Sequence, residues 1–114
     1  MQSCLFCRII RGDQPAELVH EDEQVVAFKD IRPQAPIHFL VVPRKHIPTL
    51  NDLAADDGSL AGHILQVARD LAVQFGIHEI GYRAVFNVNA GAGQSVYHVH
   101  LHVLGGRMFS WPPG

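Results

Sequence analysis

No apolar run in these 114 residues approaches the roughly 18 needed to cross a bilayer, so no membrane-spanning helix is expected. Charge of one sign is missing too. Nine Lys and Arg stand against eleven Asp and Glu, a formal net charge of -2 with no basic stripe, which argues against a nucleic-acid polymer as the main partner. Cysteine is scarce, with two residues three apart at Cys4 and Cys7, too few for a disulfide framework. The opening MQSCLFCRIIRGDQP carries an apolar patch, but Arg8, Arg11 and Asp13 break it up, so it does not read as a secretory signal. Thiols without such a signal point to a reducing, cytoplasmic setting and to a metal or redox role. Repeats, low-complexity tracts and linkers are lacking, and the length suits a single domain over 1–114.

What the chain does have is histidine, eight residues of it, three in the stretch QSVYHVHLHVLGG at 94–106. His98, His100 and His102 alternate with Val99, Leu101 and Val103. Successive strand side chains point to opposite faces, so a strand here would line the three imidazoles up about 6.6 Å apart with the aliphatic side chains buried behind them. Upstream, Leu5, Phe6, Ile9 and Ile10 recur at helical spacing, with Ser3 as a candidate cap and Gly12 and Pro15 as stops. ELVHEDEQVVAFKDI reads as a hairpin turning at Glu21 to Gln24, Phe39 to Val42 as a third strand, and YRAVFNV as a fourth. Residues 56–75 carry one long amphipathic helix with Leu60, Ile64, Val67, Ala68, Leu71 and Phe75 as its stripe, Asp56 or Asp57 as cap and Gly76 at its end. The order α-β-β-β-α-β-β with tight connections predicts an α+β domain: a mostly antiparallel five-stranded sheet with one short and one long helix.

The pattern His98-Val-His-Leu-His102-Val-Leu resembles the His-φ-His-φ-His-φ-φ signature, φ being apolar, of the histidine triad (HIT) family of nucleotide hydrolases and transferases. DIRPQAPIHFLVVPRKHI (30–47) and GQSVYHVHLHVLGGR followed by WPPG (93–114) are similar to the Hint branch, whose members are homodimeric purine nucleoside phosphoramidases. The resemblance covers nearly the whole chain. It implies His100 as the nucleophile that forms a nucleotidyl-histidine, His102 as a donor to the phosphate oxygens, His98 as support for the imidazole network and His38 as a further active-site histidine. Chemistry agrees, since a free imidazole is partly neutral at pH 7 and crowding several disfavours protonating all of them. Covalent catalysis would split one hard displacement into two easier ones.

The loop NVNAGAGQS (87–95) leads into the histidine segment. Gly91 and Gly93 would let backbone N–H groups approach an anion, with Asn87, Gln94 and Ser95 as side-chain donors. An ordinary Gly-rich hairpin is the plain alternative; its place before the triad and the family likeness favour a phosphate cradle. Asp30 suits the two ribose hydroxyls, and FKDI matches the family's ribose segment. Leu5, Phe6, Ile9, Phe28 and Ile31 would wall an apolar slot for a purine, or simply build core. Val88 and Gly91 depart from acidic residues of the commoner animal form, and Lys29 from its histidine. By the same likeness Trp111, in the apolar tail, reaches toward a partner subunit's site.

Cys4-x-x-Cys7 leaves two readings open, unmetallated thiols or a structural zinc whose tetrahedral set His46 and His98 would complete. Some bacterial HIT proteins carry such a site; animal ones lack the cysteines. No metal is expected in catalysis itself. A metal-hydroxide hydrolase built on His-x-His would want a nearby carboxylate, and no Asp or Glu lies between Ile80 and the C-terminus. A non-enzymatic zinc- or nucleotide-binding module of the same fold is the remaining rival, against which the intact triad, loop and Asp30 speak together. The expected partners are a purine mononucleotide and a second copy of the chain.

Overall fold

The computed structural model describes residues 3–114. Helix α1 spans Leu5–Arg11, strands β1 to β3 span Leu18–Glu21, Val25–Lys29 and Ile37–Pro43, helix α2 spans Gly58–Gln74, and strands β4 and β5 span Tyr82–Phe86 and Leu101–Gly105. Short 3-10 turns fall at Leu50–Asp52, Ala55–Asp57 and Ala90–Ala92. The strands form a single antiparallel sheet in the order β1-β2-β3-β5-β4, so the α+β class and the element order expected from sequence are those found. None of the described helices is long and apolar enough to cross a membrane.

The sheet is covered on both faces, which is why β3 reads as a nearly unbroken apolar run. Odd-numbered residues, Val25, Ala27, Phe39, Val41, Val99, Leu101 and Val103, pack under Leu60, Ile64, Val67, Ala68 and Leu71 of α2. Even-numbered Val26, Phe28, Leu40 and Val42 face the other way and pack with Phe6 of α1. The alternation of the histidine segment follows from this two-layer arrangement. Its aliphatic residues join the α2 layer and its imidazoles fall on the α1 side.

Several local expectations need correction. β5 begins at Leu101, so of the three histidines only His102 lies in the ladder, opposite Leu40 and Val85. At Leu101 the ladder runs out of partners: β4 ends opposite it at Phe86 and β3 closes on Pro43, which has no N–H to donate. Ser3 does not cap α1; Cys4 does, its Sγ accepting from the Cys7 N–H at 3.4 Å. Asp57 occupies the N-cap of α2 but makes no cap bond there, its carboxylate taking the Ala54 N–H and the Lys45 ammonium instead. The hairpin turn is as expected, closed by Asp22, whose Oδ1 accepts from the Gln24 and Val25 amides at 2.8 Å each.

Gly105 ends β5 where the sheet meets the segment after α2. A Cβ there would lie 2.7 Å from Ile77 Cδ1 and 3.0 Å from both Ile77 Cβ and Cγ2. The Cδ1 can swing aside; the Cβ cannot without moving backbone. Gly105→Ala is therefore expected to cost about 1–3 kcal/mol as overpacking, seen as a lower urea midpoint. Adding Ile77→Gly, which removes the Cβ as well as Cγ2 and Cδ1, should give less than the sum of the two single effects, and an additive double mutant would contradict the contact.

Candidate functional site

The site grows from His98, whose side chain is wholly buried. Its Nε2 lies 2.7 Å from the Pro43 carbonyl, an acceptor only, so Nε2 carries the proton. The Nδ1 lone pair then faces sulfur, 3.5 Å from Cys4 Sγ and 3.6 Å from Cys7 Sγ, while His46 Nδ1 lies 3.3 Å from Cys7 Sγ. The four donor atoms of Cys4, Cys7, His46 and His98 all lie within 4.8 Å of one another, so this cluster could hold a metal ion. A tetrahedral ion with sulfur at ~2.3 Å and nitrogen at ~2.0–2.1 Å requires S···N separations of about 3.5–3.6 Å, so the donor set fits with little movement. The Pro43 carbonyl plays the part that an outer hydrogen-bond acceptor plays for a ligating imidazole. Burial, then the Pro43 bond acting in the opposite sense, sets the His98 ring down to about 4, so it is neutral at pH 7 as a ligand must be. Burial also pushes the Cys7 thiol up, and the Cys4 side chain adds to that. His98, expected as support for the imidazole network, is sealed from solvent with both its ring nitrogens engaged, so it meets the pocket only through its neighbours.

Its backbone carbonyl has another task. It accepts from His100 Nδ1 at 2.8 Å, which puts the His100 proton on Nδ1 and leaves Nε2 as a free lone pair. Phe6 meets the His100 ring edge-on, centroids 5.0 Å apart, and the His102 ring lies 4.9 Å away. Burial lowers the His100 pKa, opposed by the His98 carbonyl and by Asp30. His102 is set down to about 4 by burial, with His100 and His38 adding to it and Asp30 opposing. His38 sits behind it on β3, Nε2 to His102 Nδ1 3.0 Å, and burial lowers its pKa as well, against Asp30. Asp30 Oδ2 lies 3.4 Å from His38 Nε2 and 4.0 Å from His102 Nδ1. These three also cluster, but His38 Nδ1 accepts from the Gln34 N–H at 3.0 Å. The neutral ring therefore holds its proton on Nε2, the nitrogen a metal would need, so the trio suits hydrogen bonding rather than ligation.

His100 and His102 open onto a pocket of about 370 Å³. Leu5, Phe6, Ile9, Phe28 and Ile31 line it together with Asp30 and Ser95, which brings together the whole set expected for a base slot and a ribose carboxylate. Asn87 and Gly93 stand outside its lining, in the preceding loop, where Gly93 adopts φ 81°, a left-handed turn that a side chain would strain. Gln94 departs from expectation. It is buried, its Oε1 accepts from the Asn89 N–H, and its Nε2 donates to the Pro48 and Val96 carbonyls, so it shapes the loop instead of reaching a ligand. Trp111 is 84% exposed and does not line its own chain's pocket. The sequence reading missed the Pro43 carbonyl and the Gln34 amide, backbone groups that carry no side-chain signal.

A two-layered antiparallel α+β sheet that turns a row of neutral imidazoles toward a pocket with a carboxylate at its rim defines a HIT-type fold and site. Comparison agrees. The family profile described as "Scavenger mRNA decapping enzyme C-term binding" matches residues 3–110. The chain is 57% identical to a HIT family hydrolase from Legionella pneumophila Philadelphia 1 whose crystal structure superposes with a TM-score of 0.96, covering 98% of this chain and 100% of that one. It is 47% identical over 113 residues to an uncharacterised HIT-like protein of Synechocystis, covering 99% and 98% of the two chains. A histidine triad nucleotide-binding protein from Candida albicans superposes with a TM-score of 0.82 at 32% identity, over 96% of this chain and 83% of that one. The chain belongs to the histidine triad family.

Burial of a neutral His102 ties stability to pH. The unfolded ring takes up a proton below about 6.5 and the folded one only near 4, so stability is lost as the pH falls through that window. The loss from this one group should approach about 3 kcal/mol at the acid end. His102→Asn should flatten the slope of urea stability between pH 7 and 4.5; an unchanged slope would place the proton uptake elsewhere.

Proposed function

We propose that this protein hydrolyses purine nucleoside 5′-phosphoramidates, releasing an amine and a nucleoside monophosphate by way of a nucleotidyl-histidine. One observation carries the proposal: the Nδ1–H of His100 is committed to the His98 carbonyl, so a neutral imidazole presents its Nε2 lone pair at the pocket. That lone pair forms the bond to phosphorus as the P–N bond to the amine breaks, the leaving nitrogen taking a proton from solvent. Water then attacks the same phosphorus, the bond from phosphorus to His100 Nε2 breaks, the water's proton passes to solvent, and His100 returns to its neutral state. His102 stabilises the phosphate oxygens as charge builds on them. Asp30 at the rim accepts from the ribose hydroxyls, and Leu5, Ile9, Phe28 and Ile31 hold the purine. The loop from Asn87 to Ser95, turned at Gly93, supplies donors to the phosphate. The relatives named as HIT family hydrolases and as a nucleotide-binding protein support the reaction class.

The ion suited to Cys4, Cys7, His46 and His98 is zinc, in a structural role. Bound there, it would join α1 to the segments after β3 and before β5, and the chemistry at phosphorus is left to the imidazoles. Two copies of the chain pair in this reading. β4 is a sheet edge with open backbone groups, and the tail around Trp111 has no core of its own to join. Light scattering at micromolar concentration should give twice the 12.6 kDa chain mass; the single-chain mass would exclude the pairing.

His100→Ala should lower kcat on an adenosine phosphoramidate by several orders of magnitude while nucleotide binding survives, and an alkaline quench of the wild type should trap the adduct on the peptide holding His98 to His102. An adduct elsewhere, or wild-type turnover by His100→Ala, would refute the assignment. Cys4→Ser with Cys7→Ser should lower the melting temperature and leave much of the turnover. A folded, inactive double mutant revived only by added metal would make the metal catalytic.

A further inference from the structure

The backbone amide that faces His38 is not free to move. Gln34 N–H donates to His38 Nδ1 at 3.0 Å, and the carbonyl of the same residue accepts from Arg107 Nε at 2.9 Å. Arg107 is itself fixed, its guanidinium 4.2 Å above the Phe109 ring and its Nη1 donating to the Met108 carbonyl at 3.0 Å. Arg83 closes on Phe109 from 5.0 Å and donates to the Ser110 carbonyl at 2.9 Å, which ties the whole turn to β4. The Gln34 side chain donates to Arg32 O, and the Arg32 amide donates to Asp30 Oδ1. The segment between β2 and β3 is thus held from the C-terminal tail on one side and from Asp30 on the other.

An amide N–H can only donate. It forces His38 Nδ1 to accept, so the proton of the neutral ring sits on Nε2, where Asp30 Oδ2 at 3.4 Å also favours it. His38 Nε2–H then donates to His102 Nδ1 at 3.0 Å, and the His102 proton is driven to Nε2, the nitrogen left for the pocket. We infer that Arg107 is a positioning residue: by holding the Gln34 carbonyl it keeps the Gln34 amide on His38 and so fixes His102 as a hydrogen-bond donor toward the pocket. The polarity matters because His102 with its proton on Nδ1 would turn a lone pair toward phosphate oxygens and repel them. The consequence for catalysis rests on the phosphoramidase reading above; the placement of the protons does not.

The test reads the protons directly. Long-range ¹H–¹⁵N NMR of the histidine-labelled full chain near pH 7.5 distinguishes Nδ1–H from Nε2–H imidazoles ring by ring. Wild type should show His38 and His102 both protonated on Nε2 and His100 on Nδ1. Arg107→Ala should introduce the Nδ1–H form at His38 and His102 and lower kcat several-fold, with KM within about twofold, because the lost interaction is one that strengthens in the transition state. Gln34→Pro, which deletes the N–H, should go further, toward the roughly 10²-fold loss of one oxyanion donor; if that variant misfolds, Arg107→Ala alone decides. Arg107→Lys should not restore the wild-type spectrum, since an ammonium lacks the guanidinium's fixed geometry over Phe109. A wild-type His102 protonated on Nδ1, or an Arg107→Ala spectrum identical to wild type, overturns the inference. The expected spectra with no turnover of any nucleoside phosphoramidate would instead defeat the proposed reaction and leave the clamp standing.

Discussion

The arrangement depends on how one buried imidazole is oriented. Three of the polar groups of His98 are tied down: Nε2–H to the Pro43 carbonyl, Nδ1 to the two cysteine sulfurs, and its own carbonyl to His100 Nδ1–H. Rotating the ring would leave a buried nitrogen unpaired, which costs more than most surface contacts supply. One residue therefore links the metal-type cluster to the His100 imidazole without standing in the pocket. The end of β3 at a proline makes this possible. Beyond Leu101 no ladder claims the Pro43 carbonyl, and a side chain takes it.

The two imidazoles that face the pocket are held in opposite tautomers by partners of opposite kind. A carbonyl behind His100 leaves a lone pair in front; a donor chain from Gln34 through His38 leaves a proton in front of His102. Neither could be set by the rings alone, because a neutral imidazole is content with either tautomer in water. Burial keeps the rings neutral, so that these choices have meaning at pH 7. Asp30 tempers the burial from the rim, raising slightly what desolvation lowers, and keeps a negative group within reach of three imidazoles.

Much of this was legible beforehand. Period-2 alternation placed Val99, Leu101 and Val103 behind the histidines, and the stripe from Leu60 to Leu71 placed α2 over them. The apolar set of Leu5, Ile9, Phe28 and Ile31 did converge on one pocket with Asp30. The errors share a cause. Gln94 looked like a donor because its type can donate, but its partners were backbone groups at Asn89, Pro48 and Val96 that no pattern marks. Ser3 and Asp57 looked like caps by type, but the Cys4 sulfur caps α1 and the Asp57 carboxylate is taken by the Ala54 N–H and the Lys45 ammonium. His98 was grouped with its neighbours by spacing, yet the strand stops short of it.

Residue types and their periods, by themselves, determined the layers of this protein: which side chains are buried, on which face the imidazoles fall, and that two cysteines and spare histidines were present in a metal-ligand ratio. Those follow from strand and helix periodicity, which is local. The tertiary structure alone decided where each proton sits and which nitrogen faces the pocket. Such choices are made by backbone groups, the Pro43 carbonyl behind His98, the His98 carbonyl behind His100 and the Gln34 amide behind His38, and are relayed to His102 across the sheet; a carbonyl or an amide is the same group whatever side chain it carries.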